Sequence, residues 1–457
     1  MMNIQQSEIN REVEAVLSAP AKPAFATWEI IVHANGRDYK PIYVDGVEVD
    51  HNFMARWHSI QTVTAVFSLS IAEYHLIPNR SELEVTLIRT PLTESISPVI
   101  NNAASKSAFR YKATLFNNGS DIIAGDNPLL QTEQTAERGG FKSLKFQLVN
   151  PHLDLLLKQS IGGMFRETSG INLIRYMLVE YSRTDEMDSA TYVKGCNLAP
   201  NFNEKVLEHI EIPHLTPIVD APDIVHKNCG GVYPAGFKHY LWGPHWYLFS
   251  PYDVKAYEKS PKTLTLVNVP SNRLSNVERT YRTTDSQVIA LCTGDTLPVD
   301  NSEQLQLNFG NGVRFIDATK VMDGFVLVDE NKAIVDKSKV ANEFLINNRK
   351  SGINQIKQSP RRITSAKFLE YEELAARMGF IVQTVWEHSD ASILYPGIPV
   401  KFMYSQNNVA EQLQGILLGC QTFHLRTTNN INQNRFVSKT VLTVFLQRDI
   451  VFSNMIV

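Results

Sequence analysis

Cysteine is scarce and scattered. The four present, Cys196, Cys229, Cys292 and Cys420, lie far apart with no C-x-x-C pair, which excludes a dense disulfide framework and a four-thiolate zinc module. Buried free thiols are the expected state. Positive charge is not in excess either: 44 Lys and Arg face 47 Asp and Glu, for a formal net charge of -3. With no long basic run to grip a phosphate backbone, sequence-specific DNA binding is not expected. Passage of nucleic acid along the surface remains compatible with this balance, because a near-neutral or acidic wall does not hold a polyanion. Long apolar runs are also missing. No window reaches the roughly 18 consecutive apolar residues of a membrane helix. The stretch Met1 to Ala19 carries Glu8, Arg11, Glu12 and Glu14, which breaks the apolar region of a secretory signal, so maturation in a cytoplasm is expected.

What is present is material for several cores. The chain has 457 residues, 43% apolar and 20% charged, beyond the roughly 250 to 300 residues at which a single core stops growing. Three or four domains are expected. Ile9, Val13, Val16 and Leu17 recur at helical spacing until Pro20 and Pro23, giving one short amphipathic helix. The period then changes. Trp28 to His33 and Tyr39 to Val44 flank Asn35-Gly36, the strongest short-range hairpin signal. Thr62 to Ile71, Leu83 to Arg89 (closed by Pro91), Arg110 to Phe116 and Ser143 to Val149 add strands enough for a barrel or sandwich. Asn150-Pro151 opens a mostly helical centre, with a helix over Leu153 to Leu157 stopped by Gly162-Gly163, a second through Ile171, Ile174, Leu178 and Tyr181, and a third over Ala221 to Lys227 before Gly230-Gly231. Tyr240 to Phe249 reads as a hairpin bent at Gly243-Pro244, and Thr263 to Val269 as a strand. Strands resume over Ser286 to Cys292, Gln304 to Phe309 and Phe325 to Val328. A helix capped by Ser365 runs over Leu369 to Met378 with Gly379 as its C′ residue. Phe380 to Trp386, Val400 to Tyr404, Gln414 to Leu418, His424 to Arg426 and Thr440 to Gln447 complete a second β region.

Catalytic signatures are few. His226, Cys229, His239 and His245 form a H-x2-C-x9-H-x5-H spacing that matches no standard zinc module; packing of histidines and aromatics across a hairpin is the plainer reading. There is no G-x-S-x-G elbow and no cysteine in a recognisable catalytic context. Gly310-Asn311-Gly312 lacks the helix start that a phosphate cradle requires and reads as a hairpin turn. Asp45 to Asp50 and Asp185 to Asp188 have neither calcium-loop spacing nor an evident partner carboxylate, and read as solvated loops. Trp242, Trp246 and Tyr247 could stack on sugars if exposed. No catalytic, cofactor-binding or metal-binding residue is assigned, no cofactor is expected, and the chain is read as a non-enzyme.

The order of segments resembles a known family. Tyr74-His-Leu-Ile-Pro-Asn-Arg-Ser-Glu-Leu-Glu-Val-Thr-Leu-Ile-Arg-Thr-Pro-Leu92 is similar to the first-barrel strand pair of baseplate hub proteins of contractile-tailed bacteriophages. Leu148 to Tyr181, with helices around Leu155 to Phe165 and Asn172 to Met177, resembles the helical insertion of such hubs. Tyr395-Pro-Gly-Ile-Pro-Val-Lys-Phe-Met-Tyr404 and Gly415-Ile-Leu-Leu-Gly419 resemble the strand, turn and strand of a tail-tube-like barrel. About two thirds of the chain is covered in this sense.

The resemblance implies an α+β, mainly β fold with two tail-tube-like β-barrel domains and a helical and mixed central insertion. The implied division is an N-terminal arm at 1–24, a first barrel at 25–150, an insertion at 151–275, and a second barrel at 276–457 with a helical insertion near 338–379. It also implies a homo-oligomer, a trimer, in which two barrels per subunit match a six-fold tail tube. The implied partners are the tube or tube-initiator protein, a central spike or tail lysozyme and baseplate wedge proteins. DNA would pass through the lumen without specific binding, no membrane would be involved, and the location would be the virion after assembly in the host cytoplasm. A receptor-binding or peripheral baseplate protein, and a tail-associated cell-wall hydrolase, stand as alternatives.

Overall fold

The structure, a computed structural model, describes residues 2–4, 6–19, 25–92, 107–116, 140–183, 193–229, 231–270, 280–298, 313–317, 326–329, 332–335, 343–345, 355–359, 375–376, 379–406, 409–427 and 435–447. The fold is α+β and mainly β. Strand β1 (Met2–Ile4) and helix α1 (Gln6–Leu17) precede β2 (Phe25–Ala34), β3 (Arg37–Tyr39), β4 (Tyr43–Asn52), β5 (Ile60–Ser68), β6 (Leu83–Leu92), β7 (Ser107–Leu115) and β8 (Phe141–Val149). The centre holds α2 (Pro151–Leu156), β9 (Ser160–Ser169), α3 (Gly170–Arg175) running on as a π-helix (Tyr176–Tyr181), β10 (Gly195–Leu198), β11 (Val206–Pro217), α4 (Ala221–Asn228), β12 (Lys238–Trp242) and β13 (His245–Phe249). Then come β14 (Thr263–Asn268), β15 (Tyr281–Thr283), β16 (Gln287–Pro298), β17 (Val313–Asp317), β18 (Val326–Asp329), β19 (Lys332–Val335), β20 (Glu343–Leu345), β21 (Gln355–Ser359), β22 (Gly379–Glu387), β23 (Pro399–Gln406), β24 (Val409–Arg426) and β25 (Phe436–Gln447).

A 15-stranded mixed sheet closes on itself twice. One circuit runs β24, β4, β5, β8, β7, β6, β2, β25 and back to β24. The other runs β24, β23, β14, β16, β22, β25 and back to β24. Closure removes the unpaired edges that an open sheet would expose. The two rings share β24 and β25, so neither the N-terminal nor the C-terminal strands close the first ring alone.

Strand alternation decides what fills the rings. In β2 every second residue (Ala26, Trp28, Ile30, Val32 and Ala34) is buried, and the last four meet Val63, Ala65, Phe67, Val85 and Phe146 in one core. The second ring is filled by Leu264, Leu266, Val288, Trp386, Val400 and Leu417, among others. Both interiors are packed, so neither ring is a pore. Helix α1 lies outside the second ring, with Ile9 and Val16 against Val267, Ile289, Leu291 and Met403. A third core, including Ile174, Leu178, Ile210, Val225 and Trp246, belongs to the central segment. No helix among the described residues is long and apolar enough to cross a membrane.

Several sequence expectations are corrected. The centre is not mostly helical: α2 ends at Leu156, and Gly162-Gly163 lies within β9, which pairs with β11 as a two-stranded ribbon. Gly162 is there because a Cβ would come within 2.6 Å of His214 Cα. The stretch Tyr74 to Leu92 is not a strand pair, since Ala72–Leu76 is π-helical and only Leu83–Leu92 is a strand. That strand runs past Pro91, which pairs with Ala26. Gln414 to Leu418 and His424 to Arg426 belong to one strand, β24. Asp45 to Asp50 lies in β4 rather than in a loop, where Glu48 meets Lys145 at 3.6 Å and Asp50 meets Arg56 at 3.1 Å. Gly379 starts β22 and pairs with Gln447, a strand residue rather than a helix C′ residue. Within 338–379, β20 and β21 are strands, and of Leu369 to Met378 only residues 375–376 are described, as helical. Gln304 to Phe309, Gly310 to Gly312, Asp185 to Asp188, Ser365 and Gly230 lie outside the described residues.

Candidate assembly surface

The junction of the two rings is built by β24. One edge pairs with β23 through residues 409–416 and with β4 through residues 419–425, while the opposite edge pairs with β1 at residues 410–412 and with β25 over residues 415–426. The change of partner falls at a register shift between Leu417 and Gly419, as a bulge at a sheet corner allows. Glycine is required on either side of it. A Cβ on Gly415 would stand 2.1 Å from the Phe445 carbonyl oxygen, and one on Gly419 would stand 2.7 Å from the His51 carbonyl oxygen. The shared wall carries buried polar pairs: Thr422 and Thr440 hydroxyls at 3.0 Å, Ser389 and Thr440 at 2.6 Å, and His424 Nδ1 with the Ser438 hydroxyl at 2.8 Å. Such pairs fix register, because a slip would leave each buried group unsatisfied.

The central segment docks on this junction. His51 Nδ1 lies 3.0 Å from the Tyr240 hydroxyl, the Leu241 N–H donates to the Trp57 carbonyl at 2.8 Å, and the Trp57 and Trp246 rings lie 5.9 Å apart. Burial lowers the His51 pKa to about 3, so the imidazole is neutral. Phe53, fully buried, packs on Tyr240 and Phe249. The rings and the centre therefore share packed side chains as well as backbone bonds.

Large apolar side chains remain outside. On the β9 and β11 ribbon these are Met164, Val206 and Leu215; Leu215 is 84% exposed and held at φ 61. Tyr74 and Phe109 are exposed on the first ring. Leu215 is thus a non-glycine residue held in the left-handed region on an exposed apolar strip, and such strips mark interaction surfaces.

The residues singled out by sequence do not converge. His226 Nδ1 accepts from the Val232 N–H at 3.0 Å, and its ring stacks on Phe237 at 5.0 Å. His239 Nε2 lies 2.8 Å from the Val219 carbonyl oxygen, and its ring is 5.7 Å from Phe237. His245 pairs with Trp242 at the mouth of the hairpin, and the Cys229 thiol, pushed up to about 11 by burial, lies near Gly170. No group of metal-ligating side chains occurs among the described residues. Trp246 is fully buried, Trp242 packs on His51 at 4.2 Å, and Tyr247 stacks on Tyr395 at 5.6 Å. They form no shared platform for a sugar. Cys292 and Cys420 are buried, Cys196 and Cys229 half-buried, and all four are free.

One constellation escaped the sequence reading. His33 Nδ1 lies 2.6 Å from Asp38 Oδ1, and His33 Nε2 lies 2.8 Å from Thr86 Oγ1. Its signal was register alone, since Asp38 and His33 are paired across β2 and β3. The chain of groups resembles an acid, base and nucleophile set. It sits on paired strands whose backbone N–H groups serve the ladder. It reads as a cross-strand clasp.

No protein-family model matches the chain, and no curated protein matches it. Among solved structures, the chain is similar to a tail protein from Neisseria meningitidis MC58 at 10% identity and TM-score 0.47, covering 93% of this chain and 97% of that one. It is also similar to the 43 kDa tail protein of prophage MuSo2 from Shewanella oneidensis at 7% identity and TM-score 0.46, covering 91% and 96%. A third is the E. coli c3393 protein, a component of the type VI secretion system, at 8% identity and TM-score 0.38, covering 92% and 77%.

Proposed function

We propose that the chain is a structural baseplate hub subunit of a phage tail, joining a six-fold tail tube to a central three-fold spike. The observation that carries this reading is the fusion of two filled rings through β24 and β25. One rigid subunit then offers two barrels, and a trimer offers six to the tube above. Because both rings are packed inside, the channel lies between subunits, and DNA passes there without specific binding. The first ring is residues 25–150 completed by β24 and β25; the insertion starts at 151 and ends before β14, which belongs to the second ring with β16, β22 and β23, so the boundary expected at 275 moves back to about 262. The hub acts by shape and buried area, with no cofactor and no catalysis, and its neighbours are the tube or tube-initiator protein, the spike or tail lysozyme and the wedge proteins. It is placed in the virion, after assembly in the host cytoplasm.

Burial of Trp246 takes from the receptor-binding reading the central ring of its sugar platform. No arrangement of the described carboxylates favours the cell-wall hydrolase.

Light scattering of the purified chain over a range of concentrations, alone and with the tail-tube protein of the same virion, tests the proposal. A trimer in either sample supports it. A monomer in both overturns it.

A further inference from the structure

We propose that the cleft between the π-helix Tyr176–Tyr181 and strand β10 binds an acidic peptide segment of a partner protein, one apolar side chain inside and carboxylates on the rim. The cleft has a volume of about 380 Å³. A π-helix is wider than an α-helix, rare, and frequent at functional sites; here it turns Tyr176 and Val179 into one wall of the cleft. The opposite wall is β10, an edge strand paired only with β13 among the described residues. Gly195 keeps that side of the cleft low.

The lining chemistry then selects the occupant. Val179, the Tyr176 ring and the Cys196 thiol give an apolar, polarisable interior; burial pushes the thiol up to about 12, so it stays uncharged. Arg175 and Lys194 stand at the rim, and neither has an ion pair among the described residues, whereas Glu180 is the one carboxylate in the lining. Among the described residues the lining is therefore net positive, which suits carboxylates flanking an apolar anchor. A polyanion such as DNA would be served by phosphate contacts along a long basic track, and two cations do not make one. This inference does not depend on the hub reading, because any partner with such a segment would serve.

The test is fluorescence anisotropy on the full chain, at low salt, with a capped, labelled peptide of four glutamates around a central leucine. The same peptide with glutamines in place of the glutamates is the comparison. Expected are binding of the glutamate peptide, binding about tenfold weaker for the glutamine peptide, a loss of about fivefold to tenfold in the Arg175→Gln/Lys194→Gln variant, and weakening by added salt. Both substituted side chains are exposed, so the thermal midpoint should not move. Should that variant fail to fold, the comparison of the two peptides on the unaltered chain still decides. The proposal is overturned by no binding, by equal binding of the two peptides, or by a folded variant that binds within about twofold of the unaltered chain.

Discussion

Gly415 lies directly against the backbone of Phe445, so that a Cβ at Gly415 would stand 2.1 Å from the Phe445 carbonyl oxygen. This is the point in the second ring where β24 and β25 pair just before β24 changes partner. The obstacle is backbone, not the tip of a flexible side chain, so the sheet itself would have to move. Gly415→Ala should lower stability by about 1 to 3 kcal/mol, the cost of overpacking, read as a shift of the urea midpoint. An unchanged midpoint would mean that the two strands are further apart than described.

The docking of the centre predicts a dependence on pH. Burial holds the imidazoles of His51 and His424 down at about 3, against an ordinary value near 6.5. Both groups are neutral in the folded and unfolded chain above about 6.5. As pH falls below that, the unfolded chain takes up protons that the folded chain refuses, and stability is lost until about 3 at about 1.4 kcal/mol per pH unit for each group. Urea unfolding between pH 7 and 4 should show this decline, and His51→Gln with His424→Gln should flatten it. A slope unaffected by the double variant would place the titration on other groups.

In the second ring, Trp386 is fully buried and its Nε1–H donates to the Thr280 hydroxyl at 3.1 Å; that hydroxyl in turn donates to the Glu387 carbonyl at 2.6 Å. Thr280→Val keeps the shape and removes the acceptor, leaving a buried N–H unsatisfied at a cost of about 1 to 3 kcal/mol. Trp386→Phe should cost less in Thr280→Val than in the unaltered chain, because the orphaned donor leaves with it. A double-mutant cycle by chemical denaturation measures the difference, and additive losses would contradict the bond.

How much of this was legible in the residues depends on where each signal lay. Asn35-Gly36 takes φ of 47 and 71, the geometry that a tight hairpin demands, and β2 alternates as its residues suggested. The ribbon of β9 and β11 was invisible, because in β11 only Ile210, Ile212 and Thr216 are buried and a glycine pair is ordinarily a stop signal. Gly162 has a different cause, the approach of His214, which lies far along the chain, and Gly163 has another, a φ of 136. The Asp45 to Asp50 part of β4 reads as a loop because Asp45, Glu48 and Asp50 hide its alternation, and Glu48 answers to Lys145 and Gln421 on other strands. The sharing of β24 and β25 by two rings is a matter of pairing alone, and one sequence does not display pairing. The histidine group misled for the opposite reason: the spacing was local, and the partners, backbone of Val219 and Val232, are not chemistry.

The N-terminal arm allows a last test, since its helix was readable from sequence but its seat was not. Val16 is fully buried and, with Ile9, covers Val267, Ile289, Leu291 and Met403 on the outer face of the second ring. Those side chains belong to strands whose other face fills the ring, so the strands are apolar on both sides and need a cover. Val16→Ala removes two carbons and should cost about 1.6 kcal/mol. Val16→Asp should do more than lower stability: an unpaired carboxylate cannot stay in that seat, so the arm should leave it while both rings, with their own cores, remain folded. Limited proteolysis reads this directly. Cleavage confined to the first 24 residues in Val16→Asp, with the rest of the chain resistant, is the expected pattern. Equal resistance of the arm in both proteins would show that α1 is held by something other than this face.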